Sequence, residues 1–258
     1  MLDWAGTKVD HGSRAPVLAL QALFAQRGIT LSVEDARRDM GLLKRDHIQA
    51  ILALPDLRAR WSEVTGSEPA EADFHSLSAE FGPLQIEIVA EHSRLIPGVA
   101  ETVGNWQSQG IRVGSSTGYT RQMLAPVLAQ AIGNGYRPDA SVCPDEVPAG
   151  RPAPWMLMKN AQILNVYPPS ACVKIGDTVV DIEEGRNAGM WTIGLTRTGN
   201  LVGLDEEQWA HLPETKQMDR LRGAERVLRM AGADYVAEDL ASCDEVLAEI
   251  EARLSCRR

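Results

Sequence analysis

The chain has 258 residues, 44% of them hydrophobic, and its 35 acidic against 26 basic side chains give a formal net charge of -9. A chain of that length buries roughly 70 to 75% of the surface its unfolded form exposes, enough for one full core and a small second one without a disulfide scaffold. The acidity excludes sequence-independent binding to nucleic acid or to an anionic membrane, since both need a basic surface.

No apolar run approaches the roughly 20 residues of a membrane span, and Asp3 interrupts the place where a signal peptide would begin. Cys143, Cys172, Cys243 and Cys256 stand apart, with no CxxC pair and no metal-ligand spacing. These features predict a cytoplasmic protein with reduced thiols and a small-molecule substrate held by a local cluster.

From Ala15 to about Glu91 the pattern is helical, with Val17, Leu20, Leu23 and Phe24 at three to four residue spacing. Gly28 closes the first helix, Ser32 opens the next, and a further stretch runs from Gly41 through Leu54. After Pro97 and Gly98 the texture alternates: helix Val99 to Gln109, strand Ile111 to Ser115, helix Arg121 to Ile132, strand Ala140 to Val142. It continues with helix Pro152 to Leu164, strand Cys172 to Gly176, helix Asp181 to Ala188 and strand Trp191 to Leu195, and the tail from Ala233 repeats the unit. The prediction is an α/β fold, a doubly wound parallel-sheet (Rossmann-like) core formed by residues 1–11 and 95–258, with residues 12–94 inserted as an all-helical domain.

In such a sheet the ligand site lies at the carboxyl ends of the strands. Polar residues follow the apolar runs at Asp3 in LDWAGT, Thr117 in IRVGSSTGYT, Arg151 in PAGRPAPW, and Asp177 with Asp181 in VKIGDTVVDIEEG. Asp181 taken alone reads as a helix N-cap. Carboxylates converging at one site repel unless a divalent cation neutralises them, and hard oxygen ligands suit Mg²⁺. Thr117 and the Arg151 fork can donate to a phosphoryl group beside that cation, and Pro152 suits the first position of a helix whose amides add to the same anion site.

DWAGT, SSTGYT, the Arg151 motif and GDTVVD, in this order, resemble motifs one to four of the haloacid dehalogenase superfamily. The resemblance implies that Asp3 is a nucleophile forming an aspartyl-phosphate and that Thr117 and Arg151 hold the phosphoryl group. It also implies that Asp3, the Ala5 carbonyl and Asp177 ligate Mg²⁺, with Asp181 supporting them, and that the inserted helices form a cap.

Phosphatases and phosphomutases of the superfamily carry DxD in the first motif, whereas this chain has Ala5 two residues after Asp3, so their general acid is absent. General acid catalysis is worth about 10² to 10⁴ in rate, so the leaving group must be activated otherwise. Lys44 supplies a route, because an imine with an aldehyde beta to phosphorus makes the departing carbon an enamine. Lys44 aligns with Ile48 and Ile51 on a stripe expected to be buried, and lowering its pKa from about 10.4 to about 8 would raise the neutral fraction roughly 200-fold.

MGLLKRDH, PAGRPAPWM and EGRNAGMWT, with DWAGT, are similar to the phosphonoacetaldehyde hydrolase family. That similarity implies a Schiff base at Lys44, assistance to proton movement from His47, a substrate loop at Met40 and Gly41, an aromatic wall at Tyr119, and a homodimer formed through the caps. Read without the family, His47 is a partly exposed helix residue, Met40 is core packing and Tyr119 a half-buried aromatic. Other readings are a phosphatase or phosphomutase of the superfamily, or a truncated non-catalytic homologue. Only Met1 and Leu2 precede Asp3 where about five apolar strand residues are expected, so the chain is expected to be a shortened form whose core strands lack backbone partners.

Overall fold

The computed structural model describes residues 1–40 and 42–255. Pro16 in the first turn presets the backbone for α1 (Ala15–Ala25), which buries Val17, Leu20, Leu23 and Phe24. The Ser32 hydroxyl accepts from the Asp35 amide and caps α2 (Val33–Arg37). Then come α3 (Lys44–Leu52), α4 (Pro55–Thr65) and α5 (Glu71–His92), with α5 packed against α1 and α3. Trp61, Leu77, Phe81, Ile48 and Ile51 join the α1 residues in one apolar cluster. Gly41 lies outside the described residues, and α3 begins at Lys44 with Leu43 as its N-cap, later than the stretch expected from Gly41.

The alternating region forms five parallel strands: β1 (Gly114–Ser116), β2 (Ala140–Val142), β3 (Val173–Gly176), β4 (Trp191–Leu195) and β5 (Tyr235–Ala237). β1 pairs with β2, and β4 lies between β3 and β5. Leu2 bridges in parallel to Ser115 and to Ile175, which joins the two groups in the spatial order β2, β1, residues 1–3, β3, β4, β5. The helices between them are α6 (Val99–Ser108), α7 (Arg121–Gly133), α8 (Trp155–Leu164), α9 (Val179–Asn187), α10 (Glu206–Ala210), α11 (Glu214–Met230) and α12 (Cys243–Ser255). Side chains of α6, α7 and α12 share one apolar cluster with the sheet, whereas α8 and Ala188, which caps α9, contribute to another, so helices cover both faces. The doubly wound α/β core expected from the alternation is therefore present, and no helix among the described residues is long and apolar enough to cross a membrane.

Three expectations are corrected. The helix after Arg151 begins at Trp155 and not at Pro152, so Pro152 does not occupy its first position. The strand expected from Ile111 pairs only from Gly114, and Ile111 is exposed. The strands beside Asp3 do not lack partners at its level: Leu2 donates to the Gly114 carbonyl at 2.9 Å, Asp3 to that of Ile175 at 2.9 Å, and Ser116 and Ile175 donate back to Leu2 and Met1. Paired lengths explain this, because β1 and β3 contribute only three and four residues and a three-residue segment spans most of that register. Beneath it lies an apolar cavity of about 240 Å³ lined by Met1, Val113, Cys172, Ile175 and Leu247.

Candidate active site

Asp3, Thr117 and Asp177 each follow the segment that ends at the same edge of the sheet, and the loop before α8 brings Arg151 to them. One cleft is lined by Asp3, Ala5, Thr117, Tyr119, Arg151 and Asp177 from below and by Met40, Leu42 and Lys44 from the helical segment above. Gly6, at φ +76°, allows the nucleophile-side turn to lie against Asp177, because a Cβ there would overlap the Asp177 carboxylate.

The charged groups form a buried network. Arg151 Nη2 donates to Asp3 Oδ1 at 2.6 Å, its Nη1 lies 3.0 Å from Asp181 Oδ1, and its Nε lies 3.0 Å from Glu184 Oε2. Lys174, fully buried on β3, lies 2.9 Å from Asp181 Oδ1 and 3.1 Å from Glu184 Oε2 and donates to Ser116 Oγ at 2.8 Å. Most of the Arg151 fork is thus engaged by carboxylates. Asp181 is the third helical residue in a capping box in which Thr178, not Asp181, is the N-cap, and its Oδ2 accepts from the Thr178 amide and hydroxyl.

Burial pushes Asp181 upward, but Arg151 and then Lys174 outweigh it and hold the carboxyl at about 2. Asp3 is raised by burial, against the pull of Arg151. Asp177 is pushed well above the usual carboxylate range by burial, then by Asp3 and Asp181. Asp3, Asp177 and Asp181 each offer an oxygen, all within 4.8 Å of one another. Four buried carboxylates, Asp3, Asp177, Asp181 and Glu184, meet two buried cations, Arg151 and Lys174. That surplus of two negative charges and the oxygen-only donor set fit a divalent cation such as Mg²⁺.

Lys44 is half-buried, with its ammonium 4.0 Å from the Met40 sulfur and 5.3 Å from the Phe81 ring centroid. It has no carboxylate partner among the described residues, and burial lowers its pKa to about 8. Ile48 and Ile51 are buried below it, as the stripe predicted. His47 corrects its stand-alone reading: it is fully buried, neither ring nitrogen has a hydrogen-bond partner among the described residues, and burial followed by Lys44 lowers it to about 3. It does not line the cleft. Met40 lines the cleft and also packs in the helical core, and Tyr119 is buried in the cleft wall and not half-exposed. Thr117 Oγ1 accepts from the Tyr119 amide at 3.1 Å.

Lys174, Glu184 and Ser116 were not singled out by sequence. The signals were present: a lysine inside the buried strand VKIG, and a glutamate three residues after Asp181 on the same helix face. Replacing Lys174 by Met should cost about 3 to 5 kcal/mol, because it leaves Asp181 and Glu184 buried with Arg151 alone. Urea unfolding measures this, and a loss under 1 kcal/mol would mean that the network is not coupled.

A model of haloacid dehalogenase-like hydrolases matches residues 1–189. The phosphonoacetaldehyde hydrolase of Syntrophobacter fumaroxidans is 46% identical over 99% of this chain and 92% of its own, and that of Bacillus cytotoxicus 43% identical over 97% and 95%. A crystal structure of a phosphonoacetaldehyde hydrolase-like protein from Oleispira antarctica superposes with a TM-score of 0.97 at 41% identity, covering 100% of this chain and 93% of that one. A β-phosphoglucomutase from Clostridium difficile, at 17% identity and a TM-score of 0.67 over 99% and 97% of the two chains, shares the fold. The fold and the charged cleft are those of a haloacid dehalogenase-like hydrolase. Within that superfamily the chain belongs to the phosphonoacetaldehyde hydrolase family.

Proposed function

We propose that the chain hydrolyses the phosphorus-carbon bond of phosphonoacetaldehyde to acetaldehyde and phosphate, with residues 12–94 acting as a cap over the core of 1–11 and 95–258. The observation that carries this reading is the pairing in one cleft of a carboxylate, Asp3, with an amine, Lys44, that no carboxylate among the described residues holds in the charged state. Ala5, where ester-cleaving relatives carry their acid, lines the same cleft. The names of the relatives above agree with it.

The neutral Lys44 amine adds to the aldehyde carbon, and with uptake of one proton from solvent water leaves, giving a protonated imine. Asp3 then attacks phosphorus, the phosphorus-carbon bond breaks, and its electron pair passes into the carbon-carbon bond of an enamine, neutralising the iminium nitrogen. The enamine takes a proton on carbon, and water releases acetaldehyde from Lys44 and phosphate from Asp3. Mg²⁺, which Asp3, the Ala5 carbonyl and Asp177 would hold with Asp181 behind them, supplies neutralisation of the carboxylates and polarisation of the phosphoryl oxygens when bound.

Arg151 opposes the upward push of burial on Asp3 and orients it, and its remaining N–H and the Thr117 hydroxyl are the donors proposed for the phosphoryl group. Tyr119 and Met40 wall off water. His47 stays neutral beside Lys44, so the assistance to proton movement proposed for it is given at Lys44 by an uncharged imidazole and not by a stored charge.

The direct test is release of phosphate and acetaldehyde in equal amounts from phosphonoacetaldehyde, with and without Mg²⁺. Release from phosphate esters with none from the phosphonate would replace this reading with an ester phosphatase. The pH dependence has a definite sign. A lysine at about 8, below the usual 10.5, is mostly protonated under pH 8, so trapping of the imine by borohydride should rise with pH and level off above about 8. A rise continuing to the usual lysine value would show that Lys44 is not desolvated in the reacting enzyme.

A further inference from the structure

The last residue of α2, Arg37, reaches out of the helical segment into a core loop that the catalytic steps above do not use. Its Nη1 donates to the Gly12 carbonyl at 2.8 Å, to Asn200 Oδ1 at 2.9 Å and to the Asn200 carbonyl at 3.2 Å, and its Nη2 donates to the Gly203 carbonyl at 3.1 Å. The Asn200 carboxamide returns a bond to the Arg37 carbonyl at 3.4 Å. Gly203 sits at φ +69°, and a Cβ there would come within 2.8 Å of the guanidinium carbon, so the loop is shaped around this side chain.

The same loop holds the acidic cluster. The Asn200 amide donates to Asp177 Oδ2 at 2.7 Å. Thr198 Oγ1 donates to the Gly6 carbonyl at 2.6 Å, and the Thr198 carbonyl accepts from Gly12 at 2.7 Å. One guanidinium therefore fastens a segment whose backbone fixes Asp177 and the turn after Asp3. Arg37 also lies seven residues before Lys44.

We propose that Arg37 is a positioning residue that couples closure of the cap to the geometry of the metal site. With the cap seated, Arg37 gathers the carbonyls of core residues 200 and 203 beside that of Gly12 at the start of the cap, and the Asn200 amide is held on Asp177. With the cap lifted, the loop loses its only cation from that segment among the described residues, and Asp177 loses a fixed partner. Linkage makes the effect reciprocal: a cap held shut strengthens Mg²⁺ binding, and Mg²⁺ favours the shut cap by the same factor. This rests on the reading of Asp177 as a Mg²⁺ ligand.

The test is calorimetric titration of Mg²⁺ into the metal-free full chain, with no substrate, for the wild type, Arg37→Met, Arg37→Lys, Asn200→Ala and Asp177→Asn. Arg37→Met should weaken Mg²⁺ binding by at least about fivefold, the lower end of ordinary coupling, with Arg37→Lys in between. Hydrogen exchange should quicken over residues 198–203 in Arg37→Met and stay unchanged in β3 and β4, which a general loss of stability would not produce. Asn200→Ala removes a side-chain acceptor but keeps the amide on Asp177, and should weaken binding in the same direction even where Arg37→Met fails to fold. Binding within twofold of wild type in the folded variants would overturn the coupling. Mg²⁺ binding by the wild type that Asp177→Asn leaves intact would instead overturn the reading of the metal site, and the coupling with it.

Discussion

Asp3→Asn should lose turnover of phosphonoacetaldehyde by about 10⁴-fold or more, while still forming the imine at Lys44. The carboxamide is a poor nucleophile toward phosphorus, yet it can still accept the Arg151 bond made by Asp3 Oδ1. Arg151 also keeps Asp181 and Glu184, and Asp177 is relieved of one like charge, so the fold should persist. Rapid quench should find no phosphorylated protein in the variant, and borohydride with substrate should still inactivate it. A folded variant that loses imine formation together with turnover would contradict the division of labour between the two residues.

Lys44→Met should abolish cleavage to a similar extent, about 10⁴-fold or more, for the opposite reason. The nucleophile remains, but carbon cannot leave phosphorus without the imine as electron sink. Removing an ammonium that burial already disfavours and that no carboxylate pairs should leave the thermal midpoint unchanged or higher. Lys44→Arg restores the charge and not the chemistry, so it should be as inactive as Met. A Met variant with more than a tenth of wild-type turnover would remove Lys44 from the mechanism.

Much of this site was legible because its residues carry side-chain signatures after apolar runs. Asp3, Thr117, Arg151 and Asp177 each follow a strand-like segment or a turn, and parallel topology brings such positions to one edge. Lys44 was legible from helical spacing, since Ile48 and Ile51 fix the buried face. His47 was misjudged because a polar residue beside a charged one reads as exposed, whereas α3 is covered on that side by the helical core. Lys8 shows the same limit, since a lysine six residues before Arg14 carries no sequence signal of burial. In the fold it is fully buried, donates to the Tyr136 hydroxyl at 2.9 Å and lies 3.9 Å from the centroid of the Trp4 ring.

The loop of residues 196–204 and the helices α10 and α11 were not read at all. α11 buries only Ala224 and Leu228 along 17 residues, a seam too thin to stand out against its charged surface. Asn200 reaches Asp177 through its backbone amide, which every residue except proline possesses, so no side-chain pattern marks that contact. The pairing of the segment before Asp3 was less legible, because the length of chain that a short register needs is not written in the residues themselves. In this sheet the paired register is three or four residues long, and Met1 to Asp3 fill it.

The most direct measurement of the central claim is reduction by borohydride in the presence of phosphonoacetaldehyde, followed by peptide mass mapping. The account predicts a single reduced adduct on Lys44, formed equally in Asp3→Asn and absent from Lys44→Met. An adduct on Lys8, Lys174 or another amine, or none in an enzyme that still releases phosphate from phosphonoacetaldehyde, would contradict it.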